Sequence, residues 1–112
     1  MNRGNKYRAK KVTIDGITFD SQMEGRRYQQ LKLLERAGEI THLVTQPEYK
    51  IVIDGKLICK YKADFRYIDQ RRQCTVVEDV KSKFTAKNPV YRIKKKLVEA
   101  MYPGTKIEEV QA

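Results

Sequence analysis

The chain has 112 residues, 40% of them hydrophobic, with 24 Lys and Arg against 14 Asp and Glu, giving a net charge of +10. A domain of this length buries roughly 65% of the surface its extended chain exposes, so it can fold without disulfides or a structural metal. The charge implies an anionic partner; nucleic acid is the usual case, with a merely soluble basic protein as the alternative, and charge says nothing about catalysis.

Two cysteines, Cys59 and Cys74, and one histidine, His42, are too few and too scattered for a zinc site of about four ligands. They read as reduced thiols of a cytoplasmic protein. No apolar run approaches the roughly 18 residues of a membrane span. The start, Met1 to Lys6, lacks the apolar core of a signal peptide.

Residues 1–11 carry Arg3, Lys6, Arg8, Lys10 and Lys11. They form either a basic arm lying on phosphates or a solvated terminus. Val12 to Phe19 alternates about Asp15-Gly16 and predicts a short hairpin or an extended entry segment. Ser21 to Ala37 predicts the first helix, opened by the capping box Ser21-Gln22-Met23-Glu24 and stopped by Gly38. Its apolar stripe is Met23, Tyr28, Leu31 and Leu34, which places Glu24 on the inward face.

Three strand-like runs follow: Leu43 to Ile53, Lys56 to Ile68, and Gln73 to Ser82. Asp54-Gly55 marks a hairpin turn between the first two, and Pro47 predicts an edge or a bulge. Tyr61, Phe65 and Tyr67 alternate on one face as core beneath a helix. Asn88 to Tyr102 predicts the second helix, with Asn88 as cap and Pro89 in the first turn. Val90, Ile93, Leu97, Ala100 and Met101 make its apolar face. Arg92, Lys94, Lys95 and Lys96 lie largely opposite. Lys106 to Val110 is a last strand that can add in parallel after the helical crossover. The expected whole is one α/β (α+β) domain over residues 1–112, with a central mixed sheet containing a three-strand antiparallel meander flanked by helices.

The chemistry sits in Thr75-Val76-Val77-Glu78-Asp79-Val80-Lys81. Strand alternation puts Asp79 and Lys81 on one face and Glu78 on the other. A four-residue loop from Gln70 to Gln73 sets Asp69 opposite Cys74. Continued down the strand, that register sets Asp64 opposite Asp79 and Lys62 opposite Lys81, with facing Cβ atoms about 5 Å apart. Two adjacent carboxylates repel, and a divalent cation resolves the conflict; oxygen ligands suit Mg²⁺ or Mn²⁺. Asp64 and Asp79 would then hold the metal, with the Val80 carbonyl as a further ligand. Lys81 would orient water or stabilise developing charge, and Glu24 would complete the ligand set or orient waters. The bland alternative is a set of exposed acids paired with nearby lysines.

The pattern resembles the PD-(D/E)XK nuclease superfamily, with Ala63-Asp64 and Asp79-Val80-Lys81 as its motif and Glu24 at the position of the glutamate on the first core helix. Ala63 stands where the family's name has proline. More narrowly the chain resembles small phage-encoded proteins of that superfamily through Lys6–Lys11, Gly16–Glu24, Leu33–Ile40, Gln46-Pro47, Tyr61–Phe65, Val77–Lys81 and Tyr91–Leu97. It is more distantly similar to TnsA-type transposon endonucleases. The resemblance implies a restriction-endonuclease-like core and Mg²⁺-dependent hydrolysis of DNA phosphodiesters. Holliday-junction resolution, nicking and processing of replication ends in the bacterial host all fit it, alongside phage or host replication and recombination proteins.

Arg92, Lys94, Lys95 and Lys96, with Lys10 and Lys11 of the arm, are the expected phosphate contacts. Gln46 either orients a group in the pocket or forms a turn. No helix carries base-reading residues, so structure-selective cutting is expected. One site cuts one strand, so a homodimer is expected for duplex or branched DNA. The rival is a non-catalytic DNA- or RNA-binding accessory protein.

Overall fold

The computed structural model describes residues 10–81 and 85–111. Most of the expected N-terminal arm, residues 1–9, and the end of the third strand-like run at Ser82 lie outside the described residues; Lys10 and Lys11 are exposed.

The chain is mixed α/β. Strands β1 (Val12–Ile14) and β2 (Ile17–Phe19) form the expected hairpin about Asp15-Gly16. Helix α1 (Gln22–Arg36) follows, capped by Ser21, whose Oγ accepts the Glu24 amide N–H at 3.1 Å. The Ser21 hydroxyl in turn donates to the Glu24 carboxylate at 3.2 Å, which ties that side chain to the cap. Gly25 lets α1 approach β1: a Cβ there would sit 2.7 Å from Val12 Cγ1.

The first two strand-like runs each break in two. Leu43 to Ile53 divides between β3 (Ile40–Thr45) and β4 (Glu48–Ile53), and Lys56 to Ile68 between β5 (Lys56–Lys62) and β6 (Phe65–Asp69). The breaks fall at Gln46-Pro47 and Ala63-Asp64, and they are bonded to each other. The Gln46 amide donates to the Asp64 carbonyl at 2.8 Å, and the Ala63 amide to the Pro47 carbonyl at 3.0 Å. Gln46 takes the left-handed conformation, and Pro47 has no amide to continue a ladder. The β4–β5 hairpin therefore leaves the main sheet as a separate two-stranded sheet, turning at Asp54-Gly55 with both residues left-handed. Instead of a simple meander, three antiparallel strands enclose an inserted hairpin.

The main sheet has the order β3-β6-β7-β8, with β7 at Cys74–Lys81 and β8 at Lys106–Gln111. The β3–β6 and β6–β7 pairs are antiparallel. Helix α2 (Pro89–Met101), preceded by a 3-10 turn at Thr85–Lys87, carries the chain back so that β8 lies parallel to β7.

Strand β7 separates two cores. Val76 and Val80 pack with Phe19, Tyr28, Leu31, Ile40, Phe65 and Tyr67 beneath α1. Val77 packs with Tyr49, Ile51, Tyr61, Ala63, Tyr91, Val98 and Ile107 beneath α2 and the β4–β5 hairpin. All three tyrosine and phenylalanine residues expected in the core are buried, but on different faces: the break at Ala63-Asp64 leaves Tyr61 under α2 and Phe65 and Tyr67 under α1. The inward face of α2 also differs from expectation. Val90 and Ile93 are each 60% exposed, and Ala100 is exposed, while Tyr91 and Val98, seven residues apart, point inward. Among the described residues no helix is long and apolar enough to cross a membrane.

Candidate active site

The β6–β7 register is the one a four-residue loop dictates: Asp69 faces Cys74, Ile68 faces Thr75 and Phe65 faces Glu78. It stops one residue short of the expected pair of aspartates. Asp64 belongs to the break, and its amide donates to the Glu78 carbonyl at 3.0 Å. Its carboxylate Oδ2 accepts the Val80 amide N–H at 2.7 Å. Asp64 thus caps the end of β7 instead of continuing β6 opposite Asp79. Lys62 is likewise not opposite Lys81; it pairs with Glu48 on β4.

Asp79 is 3% exposed and Lys81 is half-buried beside it, with Nζ 3.4 Å from Asp79 Oδ1. The ammonium also lies 4.2 Å from the centre of the Tyr91 ring, a cation–π contact that fixes its position. Asp79 Oδ2 is buried with no hydrogen-bond partner among the described residues. Burial raises the Asp79 carboxyl to about 6, and Lys81 offsets only part of that shift.

Glu24 approaches from α1. Burial and the charge of Asp64 push its carboxyl upward, while the Ser21 hydroxyl pulls the other way. Burial also raises Asp64, against the Val80 amide and Glu24, both of which favour its charged form. Both carboxyls of this pair are therefore raised, Glu24 to about 7. Asp20 adds further negative charge to both.

Glu78 faces away from this group, as strand alternation requires. It is 1% exposed and gripped by Arg27 through Nε at 2.8 Å and Nη2 at 2.6 Å, with the Tyr67 hydroxyl donating to the same carboxylate. With both oxygens committed, Glu78 is a strut between α1 and β7. Sequence reasoning placed Tyr67 in the core without seeing its hydroxyl's role, and did not single out Arg27; the one hint was Arg27's place three residues after Glu24 on the same helix.

The expected phosphate contacts divide. Arg92 and Lys96 are exposed on α2, but Lys95 lies 3.6 Å from Glu109 and Lys94 donates to the Lys60 carbonyl at 3.1 Å. Gln46 forms the turn, and its side-chain amide donates to the Thr18 carbonyl at 3.2 Å. A hollow of about 370 Å³ opens between β5 and the start of α2, lined by Lys60, Lys62, Lys81 and Lys94 together with Tyr61 and Asn88. Sequence reasoning missed its β5 wall, although Lys60-Tyr61-Lys62 carries the alternation that turns both lysines outward.

The donor set is suited to a hard divalent cation. Asp79 Oδ2 is an orphaned buried oxygen, and Asp64 bears a charge that its surroundings penalise. Among the described residues, however, no three Asp, Glu, His or Cys side chains are gathered closely enough to hold an ion by themselves. Mg²⁺ commonly takes one or two carboxylates and completes its shell with water. The residues fit that mode, with Asp64 and Asp79 as the protein donors.

A protein-family model described as "Protein of unknown function (DUF1064)" matches residues 4–111. The chain belongs to that family. No curated protein and no solved structure matches it.

Proposed function

We propose that this DUF1064 protein is a metal-dependent DNA endonuclease whose reaction centre is Asp64, Asp79 and Lys81, with Glu24 beside it. The observation that carries the reading is Asp79: a buried carboxylate with one oxygen unpartnered and the other against a lysine that is itself held on an aromatic face. An unpaired buried carboxylate oxygen costs stability, and a structural role gives no reason to keep it. The helix, antiparallel strands, crossover helix and parallel strand support a restriction-endonuclease-like core.

Asp64 and Asp79, with the Val80 carbonyl, would hold Mg²⁺ or Mn²⁺. Bound there, the cation supplies positive charge and makes water more acidic. Lys81 places a fixed ammonium where negative charge grows on a phosphate oxygen. With its carboxyl raised to about 7, Glu24 is partly ionised at neutral pH, and the ionised form can accept a proton from the attacking water. The Val80 amide keeps the Asp64 carboxylate in one orientation.

Branched, duplex and single-stranded DNA incubated with the protein and Mg²⁺ or Mn²⁺ should be cut. Asp79→Asn and Lys81→Ala should lower the rate at least about 100-fold, while Asp79→Asn leaves binding in EDTA intact. If the wild-type protein leaves every substrate intact with both metals, the enzyme reading fails. The non-catalytic nucleic-acid-binding reading then replaces it; the lysine-lined hollow, together with the lack of a gathered ligand triad among the described residues, favours that second reading. A homodimer remains part of the proposal for cutting both strands.

A further inference from the structure

We infer that the hollow between β5 and the start of α2 is the seat of a backbone phosphate of the bound nucleic-acid strand, next to the one positioned at Lys81. This deepens the proposed function and rests on its placing of the reaction centre at Asp79 and Lys81. Lys81 is common to both: it touches Asp79 and also lines the hollow. Lys60 and Lys62 enter from alternate positions of β5, and Lys94 enters from α2. Among the described residues lining the hollow, none is acidic.

Their existing partners leave most of this charge uncompensated. Lys94 uses one donor on the Lys60 carbonyl, and an ammonium has three. Lys60 lies 3.9 Å from Glu48, both of them exposed, which is a weak pair. The α2 terminus adds only its dipole, because Asn88 Oδ1 already accepts the Val90 and Tyr91 amides. The lysines therefore carry the site. Holding four ammonium groups about one concavity is unfavourable unless an anion sits among them.

The chemistry of the lining selects the kind of contact. Lysine ammoniums are point charges suited to phosphate oxygens. Asn88 is committed to the cap, Tyr61 and Tyr91 are buried, and lysines supply all the charge of the lining among the described residues. The hollow positions a strand without regard to sequence.

The test is fluorescence anisotropy of a labelled DNA duplex in EDTA, between about 50 and 200 mM KCl. Lys60→Gln with Lys62→Gln is compared with Lys32→Gln plus Lys106→Gln, which removes the same charge from α1 and from the end of β8 that pairs with Val76, far along β7 from Lys81. The hollow variant should bind about 10-fold more weakly, with a plot of log K against log salt shallower by roughly 1.8. The control should stay within about 2-fold of wild type. Equal losses in the two variants would overturn the inference. So would stabilisation by inorganic phosphate that depends on Lys60 and Lys62 while duplex affinity does not, because the hollow would then hold a small phosphate. Lys94→Gln should weaken binding in the same direction, and no variant should melt below wild type. Because nothing here requires Mg²⁺ or cleavage, failure of the enzyme reading stays separable from failure of this one.

Discussion

Asp79 concentrates the chemistry of the site in one side chain, and its titration has a definite sign. Its carboxyl is raised to about 6 from the ordinary 3.8, mainly by burial. Below about pH 4 the folded and unfolded chains both carry the proton, and the group contributes nothing. Between about pH 4 and 6 the unfolded chain ionises first, so folding loses stability as pH rises, by roughly 3 kcal/mol once both states are ionised. Asn at this position escapes that penalty. In EDTA, the melting temperature of Asp79→Asn relative to wild type should therefore climb between about pH 4 and 7. An offset independent of pH would show that Asp79 is not held in this environment. At neutral pH, millimolar Mg²⁺ at matched ionic strength should raise the wild-type melting temperature and leave Asp79→Asn unmoved. Much at this scale was legible in sequence, because period-two alternation alone separates Asp79 and Lys81 from Glu78. The Val80 amide as partner of Asp64 was not, since it depends on a chain break that no residue of the Lys56–Ile68 run announces.

At the scale of elements, α1 and β7 are joined by the Arg27–Glu78–Tyr67 group, which also holds Glu24 and Asp79 to one frame. Glu78 is almost fully buried, so removing its cation strands a charge. Arg27→Met should cost about 3 kcal/mol, read by urea unfolding, with no change in the β6–β7 register. A loss below about 1 kcal/mol would mean that the Arg27–Glu78 pair does not join α1 to β7. Element existence was readable for both helices and for each hairpin with an Asp-Gly turn, because capping and turn residues are local signals. The division at Gln46-Pro47 and Ala63-Asp64 was only half readable. Pro47 signals a break in the first run, but Ala63-Asp64 breaks only because its backbone answers Gln46 and Pro47 across space. The α2 face was half read: Leu97 and Met101 pack on the core as expected, but Val90 and Ile93 are exposed, and Tyr91 and Val98 meet the hairpin and sheet beneath.

At the scale of the whole molecule, charge sets folding and binding against each other. A net charge of +10 on 112 residues repels itself, and the fold gathers part of it at Lys60, Lys62, Lys81 and Lys94. Screening shortens the reach of that repulsion from about 10 Å at 0.1 M salt to about 3 Å at 1 M. Added KCl should therefore raise the melting temperature, by roughly 4 °C for each kcal/mol of repulsion relieved. The same salt weakens nucleic-acid binding, because released counterions no longer favour the complex. The two responses should have opposite signs over one titration, and the rise in melting temperature should shrink in Lys60→Gln with Lys62→Gln, where part of the repulsion is already gone. Melting temperatures that fall with KCl would mean that attractive pairs such as Arg72 with Asp69 and Glu108, at 3.0 and 2.7 Å, outweigh the clustered lysines. The excess positive charge would then be spread evenly instead of concentrated on one surface for an anion.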